Sequence, residues 1–99
     1  MTPYTLAVWR VTEGREDEFI QAWSTKLVSA FRSLERPPVW GKLLRSADDP
    51  RLFYSFGPWE TVEDIAAMRA DPVSAAALQR VASLCDEFTP GLFFEAASG

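Results

Sequence analysis

The chain has 99 residues, 47% of them hydrophobic and 13% aromatic, which is the composition of one globular domain spanning 1–99. Its formal net charge is −4, and no basic stripe interrupts it, which counts against nucleic acid and against anionic membrane surfaces as partners. There is no His and no Asn, and Cys85 is the single cysteine. These absences remove Ser-His-Asp and Cys-His arrangements, the usual metal ligand and an internal disulfide.

Tyr4 to Val11 alternates and reads as a first strand, with Leu6 and Val8 on one side and Trp9 on the other. Thr12-Glu13-Gly14 is a turn. Arg15 to Leu34 carries Phe19, Ile20, Trp23, Leu27, Ala30, Phe31 and Leu34 at helical spacing. Glu16, Asp17 and Glu18 crowd its first turn, where the helix dipole favours carboxylates; their consecutive spacing makes a solvated turn and not a metal site. Pro37-Pro38 stops this helix.

Val39 to Ser46 reads as a second strand, with Trp40 and Leu44 on one face. Ala47-Asp48-Asp49-Pro50 is a turn, and Arg51 to Phe56 completes a hairpin. The corner Gly57-Pro58-Trp59-Glu60 leads into a helix capped by Thr61, with Asp64 three residues later and Ile65 and Met68 on its apolar side. Asp71-Pro72 starts another helix, reaching about Cys85, with Val73, Ala77, Leu78, Val81 and Leu84 on its stripe. Pro90-Gly91 breaks the chain, and Leu92 to Ala96 is a fourth strand.

The order is that of an α+β, ferredoxin-like βαββαβ domain. A four-stranded antiparallel sheet carries its helices on one face. Leu6, Val8, Tyr54 and Phe56 fall on one set of strand positions; Trp9, Phe53 and Phe93 fall on the other. An uncovered sheet face so rich in apolar groups predicts a homodimer through that face. The start lacks a signal-peptide pattern and no apolar run approaches a bilayer span, so the expected location is the cytoplasm, without membrane contact.

Several short motifs resemble the antibiotic biosynthesis monooxygenase family. They are Val11-Thr12-Glu13-Gly14-Arg15-Glu16-Asp17-Glu18-Phe19, the hairpin Leu44 to Pro50, the corner Phe56-Gly57-Pro58-Trp59-Glu60-Thr61, and Arg69-Ala70-Asp71-Pro72. The resemblance implies a dimeric α/β barrel with a pocket between sheet and helices. It also implies oxidation of small aromatic or polyketide-type substrates by molecular oxygen with no cofactor, or degradation of haem. The haem-degrading members use an Asn on the first strand and a His on the later helix; those places fall near Ala7 and Ala77 here, so only the corner Trp59 remains.

Under this resemblance the expected function is a cofactor-independent monooxygenase-like activity. The alternative is a non-catalytic dimeric module that holds a small hydrophobic or aromatic ligand. Trp59, Tyr54 and Arg69 are the catalytic candidates, for stacking, hydrogen bonding and charge. Trp9, Trp23, Trp40 and Arg45 are candidates for binding substrate. Each has a plainer role available: Trp59 and Trp23 in the core, Tyr54 at the dimer face, Arg69 and Arg45 in surface ion pairs. Cys85 lacks a visible base and reads as a core thiol.

Overall fold

Four strands form one antiparallel sheet in the order β2-β3-β1-β4. A computed structural model describes residues Met1–Gly99. The strands are β1 Pro3–Val11, β2 Lys42–Arg45, β3 Leu52–Pro58 and β4 Cys85–Phe94. The helices are α1 Glu16–Ala22, α2 Val28–Arg32, α3 Val62–Ala70 and α4 Pro72–Ala82, and a π-helical turn, Trp23–Leu27, joins α1 to α2. The fold is the expected ferredoxin-like βαββαβ.

Local chemistry sets the element boundaries. Gly14 has φ +88°, a left-handed conformation that turns β1 into α1 at little cost for glycine alone. The Thr61 hydroxyl accepts from the Asp64 backbone N–H at 3.1 Å, and the Asp71 carboxylate accepts from the Ser74 N–H at 2.8 Å. Each bond satisfies an orphan donor at the start of a helix. Asp48 and Asp49 lie in the β2–β3 turn, where both backbone N–H groups donate to the Ser46 hydroxyl.

Alternation along β1 divides the sheet. Pro3, Thr5, Ala7, Trp9 and Val11 face the helices; Tyr4, Leu6, Val8 and Arg10 face away. Trp9 pairs with Phe53 across to β3 and with Phe88 across to β4. The main core gathers there, with Phe19, Leu27, Val81 and Leu84 packed on Trp9 and Phe53. Phe88 stacks on Trp9 with ring centroids 4.2 Å apart. A smaller cluster of Trp59, Ile65 and Met68 lies beneath α3.

The structure corrects four details of the sequence reading. β4 begins at Cys85 and runs through Pro90-Gly91 without a break. Pro90 is tolerated because β4 is an edge strand, where a missing N–H need not cost a ladder bond. The register sets Phe93 opposite Tyr4, so Phe93 belongs to the open face and not with Trp9. Val73 is 61% exposed, and Ser74, fully buried, takes the first core position of α4.

The fourth correction concerns Val39-Trp40-Gly41, which lie outside β2. The Val39 N–H donates to the Pro58 carbonyl at 2.9 Å, and the segment passes against the end of β3. A Cβ on Gly57 would stand 2.1 Å from the Trp40 carbonyl oxygen. Gly57 is therefore required by backbone contact. Gly57→Ala is expected to lower stability by about 1–3 kcal/mol, the usual penalty of overpacking. Urea denaturation measures it; an unchanged midpoint would show that the 39–41 segment moves freely.

Candidate functional site

The inner sheet face changes character along its length. Toward one end sit the large pair Trp9 and Phe53, which fill the core. Toward the other sit Thr5 opposite Gly57 and Ala7 opposite Ser55, all small. The helices cannot close down on that small-residue end, because Trp59, Phe31 and Trp23 stand between. The result is a cavity of about 620 Å³ between sheet and helices. That volume suits a small fused-ring ligand.

Aromatic rings and small residues make the walls. Trp23, Phe31, Trp40 and Phe88 present ring surface to it, and the fully buried Trp9 and Trp59 back the wall behind them. Trp59 is 1% exposed, and the Phe31 ring meets it edge-on at 5.7 Å. Its indole N–H donates to the Thr5 hydroxyl at 2.9 Å. The Trp9 indole donates to the Ser55 hydroxyl at the same distance. Each hydroxyl thus accepts from an indole and makes no hydrogen bond as donor within the protein, which leaves its own O–H for a ligand oxygen. The Trp23 indole N–H is buried with no partner. Trp23 opens the π-helical turn, so the irregular backbone lies in the cavity wall.

The groups that could act as a base are all elsewhere. No Asp, Glu, Lys, Cys or Tyr lines the cavity. Arg32 and Arg69 do, and both are exposed, which puts them at its mouth. Cys85 is outside; burial, with Asp86 adding to it, pushes its thiol up to about 11, so it is a poor nucleophile at neutral pH. No group of three His, Cys, Asp or Glu side chains is placed to hold a metal ion.

Of the residues singled out in the sequence, Trp59, Arg69, Trp9, Trp23 and Trp40 come together around this cavity. Two do not. Tyr54 pairs with Val8 on the open face of the sheet and is 43% exposed there, on the opposite side from Trp59. Arg45 lies over the Phe53 ring at 5.2 Å and donates to the Pro50 carbonyl at 2.9 Å. Trp40 is a rim residue, edge-on to Tyr4 and Phe56 at 6.3 and 5.8 Å. Sequence reasoning missed Thr5, Ser55, Phe31 and Arg32. The small inner residues of β1 and β3 were the available signal.

No family model matches the chain, and no curated protein matches its sequence. Solved structures do resemble it. A mutant of SnoaB, a cofactor-independent oxygenase from Streptomyces nogalater, superposes with TM-score 0.87 at 18% identity, covering 98% of this chain and 95% of that one. A structure named as an antibiotic biosynthesis monooxygenase gives TM-score 0.78 at 14% identity, over 96% and 99% of the two chains. The protein Rv0793 from Mycobacterium tuberculosis gives 0.80 at 11% identity, over 99% and 98%. At these identities the likeness is one of fold: the chain has the fold of the antibiotic biosynthesis monooxygenases, the family that its motifs resemble.

Proposed function

We propose that this protein is a cofactor-independent monooxygenase-like enzyme acting on a small aromatic or polyketide-type substrate. The observation that carries the reading is the aromatic-walled cavity in which two indole-held hydroxyls, Thr5 and Ser55, have O–H groups free to donate. The oxygenase fold of the SnoaB structure supports the same reading.

The chemistry follows from what the cavity holds. A phenol or anthrone-type substrate loses a proton to give an electron-rich anion. The Thr5 and Ser55 hydroxyls stabilise its oxygen, each polarised by the indole that donates to it. The anion gives one electron to O2, and the resulting radical and superoxide combine at a ring carbon. The peroxide takes a proton back from solvent and loses water, leaving a carbonyl: one oxygen atom enters the product, and the other leaves as water with that proton and the hydrogen remaining on the carbon. The protein binds, orients and excludes solvent. Trp59 backs the ring site and holds Thr5, and Arg69 supplies charge at the mouth.

The absence of a titratable base from the lining favours the second reading, a binding module that holds such a ligand without turning it over. Oxygen uptake measured with a panel of anthrols, hydroquinones and flavonoid-like phenols separates the two. Uptake above the spontaneous rate supports the enzyme; saturable binding with no uptake supports the module.

The reading includes a homodimer through the open sheet face and a cytoplasmic location, where Cys85 stays reduced. Leu44, Tyr54 and Phe93 are 51, 43 and 53% exposed on that face. Leu6, Val8 and Phe56 continue the patch between them. An uncovered apolar face of this kind is unusual on a monomer. No helix is long and apolar enough to cross a membrane. Size exclusion with light scattering is expected to give twice 11.1 kDa at micromolar protein. A stable single-chain mass would overturn the dimer.

A further inference from the structure

The eight arginines of the chain divide in an informative way. Arg10, Arg15, Arg36, Arg51 and Arg80 each pair with a carboxylate, and Arg45 donates to a backbone carbonyl. The two that remain, Arg32 and Arg69, make no hydrogen bond or ion pair within the protein. These two, and no other arginine, line the cavity. No carboxylate lines it with them. The chain as a whole carries 14 acidic side chains against 10 basic ones, so two unpaired guanidiniums lining one cavity are not the residue of a basic surface.

The two come from separate elements. Arg32 ends α2, and Arg69 lies in the last turn of α3. Both sit at the mouth, whereas the free hydroxyls of Thr5 and Ser55 belong to the sheet that floors the cavity. Two functions are thereby separated in space: neutral donors at the floor for a ring oxygen, and cations at the rim for something else. A guanidinium fork matches a planar carboxylate.

We propose that the cavity selects aromatic carboxylates: the ring enters between the tryptophans, and its carboxylate is held at the mouth by Arg32 and Arg69. The proposal rests on the reading of the cavity as an aromatic binding site, and it adds Arg32 as a specificity-determining residue.

A matched pair of probes tests it. 2-Naphthoate and 2-naphthamide share a ring system and differ mainly in charge. Quenching of tryptophan fluorescence at pH 8 gives both dissociation constants. Naphthoate is expected to bind at least about tenfold more tightly, the usual value of a charge-assisted hydrogen bond. The preference is expected to shrink as salt is raised and to fall toward unity in the double variant Arg32→Gln, Arg69→Gln. Both side chains are exposed, so the variant keeps its core; an unchanged melting temperature confirms it.

Equal affinities in the unaltered protein would overturn the charge selection while leaving the aromatic site standing. So would a preference that survives in the double variant. Binding of neither probe up to its solubility limit would overturn the aromatic site and the proposal together.

Discussion

Trp59→Ala is expected to destabilise the protein by about 3–5 kcal/mol, the range for truncating a fully buried Trp. The indole is 1% exposed and joins Ile65 and Met68 in the cluster beneath α3. It also holds the Thr5 hydroxyl at 2.9 Å. A domain of this size has only about 5–15 kcal/mol of stability in total. The alanine variant is therefore uninformative about chemistry, since it threatens the fold first. Trp59→Phe keeps a ring in the wall and removes the N–H. Its cost is nearer the roughly 1–3 kcal/mol of an unmade buried hydrogen bond, and it frees Thr5 to rotate. If Thr5 stabilises the substrate anion, kcat falls in Trp59→Phe while the affinity for a ring ligand holds. Turnover equal to that of the unaltered protein would limit Trp59 to packing.

The second large effect concerns pH. No carboxylate, imidazole, thiol, amine or phenol lines the cavity, so no side chain of the protein is placed there to take the substrate's proton. Solvent must take it before or during binding. The rate is then proportional to the fraction of substrate that is ionised. Below the substrate's own pKa it is expected to rise about tenfold per pH unit, and above that to level off. Substrates of different acidity should shift the midpoint by their difference in pKa. A bell-shaped profile whose limbs stay fixed across substrates would show that a protein base takes part, and would overturn this account. Cys85, raised to about 11 and outside the cavity, leaves no signature in the neutral range.

The sheet and helices were legible because alternation in β1 and β3 is clean and because Thr61 and Asp71 announce their helices. β4 was half hidden. Pro90-Gly91 reads as a break unless the strand is known to lie at an edge, and sequence alone does not give strand order. Trp40 reads as a strand residue for a related reason: Val39-Trp40-Gly41 crosses the end of β3 in backbone contact with Gly57, a meeting that has no local signal. The site was legible by its tryptophans. Tyr54 and Arg45 looked equally suitable as residue types, but the first points through the sheet to the open side and the second covers Phe53. Residue type shows what a side chain can do; only alternation from a known buried partner shows which side it serves. Thr5, Ala7, Ser55 and Gly57 carried that information as four small residues in register.

The π-helical turn gives the long first helix a length that is not fixed. Ala22 and Leu27 are both buried although they are five positions apart, because the wide turn absorbs one extra residue. Deleting one residue between Trp23 and Leu27 would restore ordinary α-helix with Phe19 and Ala30 still facing inward. A deletion elsewhere in the helix would instead swing everything beyond it by about 100°. A descendant of this chain can thus lose a residue at that one point, reshaping the chamber beside Trp23 while the scaffold around it stays as it is.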